Sequence, residues 1–332
     1  MKNTIIMQSS WIQADQLARL SNQASPVCLA PLPAFDVLRA HGPDAIKYLQ
    51  SQSTCDLRRL NDTNVLRGAH CDAKGKMWSV FQLLQADQDE LLVVAHRDEL
   101  AASLAQWKKF GVFSKVQFEP GQLDWAVFGI SGEQAAVSVL LQQLGFVAAE
   151  PGERQSSNGC HLLCLAPNHY LLLSPHPQAR QWLEDSTLPL AAPTRWLQAH
   201  IQHGLCYLEQ ENIGHYVPQM LNLQAQDAIS FDKGCYMGQE MVARMKYLGK
   251  NKRAAFIATA TTEHTPVAGT DIEMQLESNW RRAGQVINAV NVNQQLWVLA
   301  VLPNDTTAAT QLRLASDPET VLQMQPLPYT LQ

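Results

Sequence analysis

No run of apolar residues in this chain approaches the ~20 that a membrane-crossing helix requires. The first sixteen residues hold one lysine, a brief Ile5-Ile6-Met7 run and then mostly polar side chains, without the apolar core of a secretory signal. The expectation is a cytoplasmic protein with no membrane attachment. There is no G-x-G-x-x-G and no Walker-type loop, so neither a dinucleotide nor a nucleoside triphosphate site is indicated. The ten histidines form no H-E-x-x-H or similar spacing, and the C-x2-C pairs usual in zinc sites are missing. Cys160 and Cys164, spaced C-x3-C in an apolar run, read as part of a half-buried strand, and His70-Cys71-Asp72 as local structure; no metal site is expected. The seven cysteines (28, 55, 71, 160, 164, 206, 235) are odd in number and scattered, as reduced thiols are and a disulfide framework is not. Low-complexity linkers and repeats of solenoid period are absent too. A formal net charge of −5 excludes a surface that is basic throughout and leaves room for a local basic patch.

What is present is the composition of a folded protein. A chain of 332 residues, 46% hydrophobic and 17% charged, is long enough for two or three domains. Periodicity predicts a short strand at 35–38, a helix from Pro43 to about 52, strands near 64–71, 77–84 and 91–95, a helix from Arg97 to 107, and a strand over 112–118. A similar order resumes near 123. A strand over 125–130, a helix over 131–145, strands near 160–165 and 170–174, and helices after Pro177 and over 193–204 follow. Beyond 253, short strands over 254–261, 270–276, 281–288, 296–302 and 311–314 suggest a small β-barrel or sandwich of ~75 residues. The reading is an α+β protein: a first domain over 1–122, a related second domain over 123–253 that can interleave with the first, and a C-terminal barrel over 254–332.

The chemistry concentrates in Phe231-Asp232-Lys233-Gly234-Cys235-Tyr236-Met237-Gly238-Gln239-Glu240 and the helix-forming residues after it. Glycines at 234 and 238 suit a tight loop entering a helix. Cys235 would then precede a helix N-terminus, where unpaired N–H groups and Lys233 would favour thiolate. A buried structural cysteine is the bland alternative, set against the charged and polar neighbours. From Phe231 to Arg253 six basic residues (Lys233, Arg244, Lys246, Lys250, Lys252, Arg253) face two acidic ones (Asp232, Glu240), a local charge of +4. That is either a solvated helix face or an anion site for a polyglutamate tail, an RNA backbone or an acidic partner.

Lys233-Gly234-Cys235-Tyr236-Met237-Gly238-Gln239-Glu240 resembles the K-x-C-[FY]-x-G-Q-E signature of the YgfZ proteins, a branch of the superfamily of the glycine-cleavage aminomethyltransferases. His70-Cys71-Asp72-Ala73-Lys74-Gly75-Lys76-Met77-Trp78 and Asn279-Trp280-Arg281-Arg282 are similar to that family as well. The resemblance runs from about 35 to 329. It implies two related α/β sandwich domains and a small barrel around a central folate channel, binding of tetrahydrofolate or a derivative, and a role in maintaining iron–sulfur enzymes, including those that methylthiolate tRNA. It further implies that Phe35 and Trp196 hold the pterin by stacking. Gln202, in the triplet Gln202-His203-Gly204, takes the place of a folate-binding Glu, with weaker folate affinity expected. The catalytic Asp of the aminomethyltransferases falls at Ser79 or Val80, neither of which can act as a carboxylate. The expected function is a folate-binding accessory factor for iron–sulfur enzymes and tRNA thiolation. Cys235 is its working thiol, Lys233 lowers the thiol's pKa, and Gln239 and Glu240 orient the loop or meet a partner. The alternative is a folate-dependent one-carbon transferase or demethylase. A weak tRNA contact through Lys246, Lys250, Lys252 and Arg253 completes the expectations.

Overall fold

A computed structural model describes residues 11–121, 124–247, 249 and 251–331. In chain order the elements are α1 (Ala14–Ala18), β1 (Val27–Pro31), β2 (Phe35–His41), α2 (Ala45–Gln52), β3 (Leu66–Cys71), β4 (Met77–Asp87), β5 (Glu90–His96), α3 (Arg97–Phe110) and β6 (Gln117–Pro120). Then come β7 (Trp125–Gly132), α4 (Gln134–Gln143), β8 (Arg154–Ser157), β9 (Cys160–Ala166), β10 (His169–Pro175), α5 (His176–Glu184) and α6 (Pro193–Gln202). Two single turns at Pro218–Leu221 and Leu223–Gln226 lead to α7 (Gln239–Tyr247). The chain finishes with β11 (Arg253–Thr261), β12 (Asp271–Leu276), β13 (Asn279–Val292), β14 (Gln295–Pro303), β15 (Leu312–Leu314) and β16 (Asp317–Gln325).

Two five-stranded antiparallel sheets, ordered β3-β4-β5-β2-β6 and β1-β7-β10-β9-β8, stand face to face, and six strands close a barrel ordered β11-β14-β13-β12-β15-β16. Period-two alternation sorts each strand's side chains between two cores. In the first sheet Leu38, Leu91 and Val93 pack under α2 and α3 with Leu49 and Trp107, while Val37, Leu92 and Val94 join Val127, Leu171 and Leu173 of the second sheet in a shared inner core. The outer face of the second sheet, with Phe128, Ile130 and Leu172, is covered by Val137 and Leu140 of α4 and Trp182 of α5. The barrel is likewise two-sided. Ala254, Phe256, Val298 and Ala300 fill its interior, whereas Ala255, Ile257, Leu299 and Val301 pack outward on Leu221, Leu223 and Val242. Burying both faces of these strands welds the barrel to the rest of the chain.

The strand expected over 112–118 is a turn, with only Gln117–Pro120 extended. β1, β8 and β16 lie where no strand was expected. β1 pairs with β7, so residues 27–31 belong to the sheet built mainly from the second half of the chain. The boundary expected between 122 and 123 falls on residues outside those described. Among the described residues no helix is long and apolar enough to cross a membrane.

Candidate functional site

Segment 228–238 is zipped to two earlier parts of the chain. On one side it follows the end of α2: Ser230 N donates to Thr54 O (2.9 Å) and Met237 N to Ser51 O (3.0 Å). Lys233, expected to act on the thiol, instead anchors the loop. Its side chain is buried, and Nζ donates to the carbonyls of Gln50 (2.6 Å), Ser53 (2.7 Å) and Cys55 (2.7 Å). These carbonyls lie at and just beyond a helix C-terminus, where a cation satisfies acceptors that the helix leaves open. Burial lowers the Lys233 pKa to about 8. On the other side the loop meets the β3–β4 turn. A Cβ on Gly238 (φ +83°) would lie 2.5 Å from Asp72 O, and one on Gly75 (φ +74°) would lie 3.0 Å from the Met241 Cβ. Gly238 and Gly75 thus allow two backbones to touch. Gly234, by contrast, faces open space.

Held at both flanks, Cys235 is exposed, and the other six cysteines are buried. Burial raises Cys71 and pushes Cys164 and Cys206 up to about 12 and about 11. Gln239 opens α7, its N–H donating to Tyr236 O (3.1 Å), and Glu240 is exposed and paired with Arg244 (2.9 Å). Lys246 stands 3.7 Å over the Phe231 ring, Lys252 is exposed, and Arg253 Nη1 donates to Ala283 O (2.8 Å). Lys250 lies outside the described residues. Lys246 and Arg253 thus make separate local contacts.

A cleft of about 620 Å3 lies elsewhere. Its walls come from β3 and β4, the turn at 151–153, the end of β9, the residues after α6, the turn at 225–227 and the C-terminal Tyr329. Gln226 Nε2 donates to Gly204 O (3.0 Å) and to the Tyr329 hydroxyl (3.2 Å), which itself donates to Gly204 O (2.9 Å). Among the described residues that line the cleft, two polar atoms are buried without a partner: Arg67 Nε, a donor, and Gln226 Oε1, an acceptor. Inward, past Arg67, Gln82 and Leu165, the cleft abuts a narrow pocket of about 20 Å3 lined by Phe35, Glu99, His200 and Tyr207. A cleft whose lining mixes apolar residues with Arg67, Gln82, Gln226 and Tyr329 suits a flat heterocycle with amide-like edges.

Phe35 and Trp196 are brought together, but edge to face, with centroids 5.6 Å apart at 82°. Trp196 is fully buried, donates Nε1–H to Tyr170 O (3.0 Å), and has His169 and His200 each stacked 4.6 Å away, the two imidazoles themselves joined by a 3.0 Å hydrogen bond. No parallel slot opens between the two rings. Gly129 makes room for the indole, since a Cβ there would lie 2.3 Å from it. Gln202 is exposed and lines a different cavity, of about 350 Å3, whose only residue in common with the cleft is His203. Ser79 accepts from Ser103 Oγ (2.7 Å) and supplies no carboxylate. The Val80 N–H, however, donates to Glu99 Oε1 (2.8 Å).

Sequence reading placed Glu99 only at a helix start. It does close the capping box of α3, with the His96 N–H donating to Oε2 (3.1 Å). Burial raises its carboxyl to about 8 against the pull of three backbone N–H groups, from Val80, Leu208 and His96. Arg67, Glu99, His200 and Gln226 carried no motif that marked them as site residues. Among the described residues no cluster of three or more His, Cys, Asp and Glu side chains is placed to hold a metal.

By architecture this is an aminomethyltransferase-fold protein. The glycine cleavage system aminomethyltransferase T of Bartonella henselae superposes with a TM-score of 0.70 over 96% of this chain and 89% of that one, at 13% identity, a likeness of fold alone. The profile of the YgfZ β-barrel domain matches residues 251–317. Proteins named tRNA-modifying protein YgfZ are similar along their length: one from Yersinia pestis (strain Pestoides F) is 38% identical over 316 residues, 94% of this chain and 95% of that protein. Another, from Yersinia enterocolitica, is 37% identical over 317 residues, again 94% and 95%. The chain belongs to the YgfZ family.

Proposed function

We propose that this protein is a cytoplasmic, folate-binding accessory factor that supports iron–sulfur enzymes and tRNA thiolation, with Cys235 as its working thiol. One observation carries the reading: of seven cysteines only Cys235 is exposed, on a loop pinned to α2 by Lys233 and to the β3–β4 turn by Gly238. A thiol held in that way is presented to a partner or substrate, as a nucleophile or as a soft ligand for sulfur or iron. Tetrahydrofolate or a derivative would occupy the 620 Å3 cleft. There Arg67 and Gln226 line the wall and bring the kinds of donor and acceptor that a pterin edge needs, while Phe35, edge to face with Trp196, lines the narrow pocket that adjoins the cleft. Lys233, Gln239 and Glu240 act through the loop, by anchoring it and starting α7. The relatives' name supports the tRNA context.

The decisive experiment is complementation of a strain lacking the protein, scored on tRNA thiolation and on iron–sulfur enzyme activity. Cys235→Ala is expected to lose both, and wild-type behaviour in both would remove the centre of the reading. A second reading, a one-carbon transferase or demethylase, is favoured by Glu99, whose carboxyl is raised by burial and borders the inner pocket. Turnover of a methylated or formylated substrate that is lost in Glu99→Gln and kept in Cys235→Ala is the result that selects it.

A further inference from the structure

A second cavity, of about 310 Å3, lies at the seam where the barrel meets the rest of the molecule. Its lining includes Lys76, His215, Tyr216, Arg253, Arg282 and Gln285. Lys76 comes from the β3–β4 turn and Arg282 from the Asn279-Trp280-Arg281-Arg282 stretch, two motifs for which the folate cleft has no use.

Local structure aims these cations. The register of β12 against β13 slips between Ile272↔Gly284 and Glu273↔Arg282, leaving Ala283 as a bulge. The bulge interrupts the alternation, so that Arg281 and Arg282 are both exposed while Ala283 and Gly284 are both buried. At Gly284 a Cβ would lie 1.9 Å from Val301 O, so bare backbone forms that part of the lining. Each cation is tethered through one donor. Lys76 Nζ donates to His215 O (2.6 Å), Arg253 Nη1 to Ala283 O (2.8 Å) and Arg282 Nε to Asp271 Oδ1 (2.8 Å). An ammonium has three N–H donors and a guanidinium five, so most remain for a ligand. Tyr216 donates to Gln285 Oε1 (3.0 Å), and the amide of Gln285 donates to Gly269 O (2.9 Å), which fixes the neutral part of the wall.

Asp271 is the one acid among these contacts, so three cations against one anion leave a charge of +2 around a small space on a protein of net −5. Such a wall repels itself unless an anion enters, and guanidinium forks match the oxygens of a phosphate. Exposed Lys74, Lys252 and Arg281 flank the lining residues in sequence, which suits a continuous polyanion better than an isolated monoester. The cavity also adjoins the thiol loop, because Gly75, next to Lys76, is the glycine packed against Met241 and Gly238.

We propose that this cavity is a phosphate site that seats a backbone phosphate of an RNA brought to the Cys235 loop. The choice of RNA, unlike the choice of phosphate, rests on the tRNA role proposed above.

The test is binding of bulk tRNA to the full-length protein, followed by fluorescence anisotropy across a salt series, with inorganic pyrophosphate as competitor. Arg282→Gln and Arg253→Gln are each expected to weaken binding about five- to tenfold near physiological salt and to lower the slope of log K against log salt by about one. Arg282→Lys, which keeps the charge and reports on folding, is expected to retain most of the affinity. Lys109→Gln, an equal charge change on α3, is expected to bind as wild type, and pyrophosphate to compete for wild type but not for Arg282→Gln. Wild-type affinity and slope in both Gln variants, an equal loss in Lys109→Gln, or no salt-dependent tRNA binding by the wild type would each overturn the proposal. Complementation by Cys235→Ala reports on the thiol alone, so the two readings fail separately.

Discussion

Lys233 and Cys235 stand two positions apart in the chain and do different work. The lysine turns inward to three carbonyls, those of residues 50, 53 and 55, 178 to 183 positions earlier, and the thiol turns outward. Their adjacency in sequence suggested a charge acting on a nucleophile, because side-chain direction cannot be read from spacing in a loop. The buried histidines are a second case. His70 stacks on Trp107 (5.0 Å) with Nδ1 3.0 Å from Ser103 Oγ, and burial holds its pKa down to about 3. An unfolded histidine takes its proton near pH 6.5. From there down to about pH 3 the unfolded chain binds a proton that the folded chain does not, so stability falls as pH falls. His169 and His200, also held low by burial, add in the same direction. Glu99 and Asp36, raised to about 8 and about 6 by burial, act oppositely, favouring the folded state at lower pH. The clean measurement is therefore a difference. His70→Phe, which keeps a ring on Trp107, should lose about 2 kcal/mol less than wild type between pH 7 and pH 5 in urea unfolding. Identical pH dependence in the two proteins would show that His70 does not carry this penalty.

At the scale of elements, the β3–β4 turn and the thiol loop form one unit through Gly75 and Gly238. Gly238→Ala places a methyl 2.5 Å from a backbone oxygen at a positive φ, with an expected cost of roughly 2–4 kcal/mol and loss of the loop's docking. Gly234→Ala meets nothing within 4 Å and should stay within ~0.5 kcal/mol of wild type. Equal effects of the two substitutions in thermal unfolding would mean that the contact with Asp72 is unimportant. Both glycines look alike in the sequence, since only the partner backbone distinguishes them. Elements with strong periodicity, such as α3 and most of the barrel strands, were legible for the ordinary reason that one face is buried. β1 was hidden by prolines that an edge strand tolerates, β8 by its length of four residues, and β16 by its start at Asp317-Pro318-Glu319. The turn that replaced the strand expected over 112–118 carries Val112 and Phe113, both exposed, so its apolar residues signalled a buried strand that the fold does not use.

Across the whole molecule the cleft exists only because separate parts of the chain converge. Arg67 comes from the first sheet, Leu165 from the second, Gln226 from the segment before the thiol loop and Tyr329 from the tail. If the cleft binds tetrahydrofolate, Arg67→Met should weaken it at least about tenfold in calorimetry, because a charged hydrogen bond is lost inside a largely apolar site. Gln202→Glu, whose residue lines a different cavity, should leave the affinity unchanged. The reverse pattern would return the pterin to the site that the resemblance implied around Gln202. By itself the sequence determined the α+β class, the C-terminal barrel, the family and the thiol worth testing, because periodicity, composition and a contiguous motif are local properties. Tertiary structure alone decided that Phe35 and Trp196 meet edge to face, that Lys233 is an anchor, that Glu99 lies beside Val80, and that Lys76, Arg253 and Arg282 share one cavity. Each of these depends on which distant segments pack together, and that is set by the burial of whole sheet faces and not by any short stretch of chain.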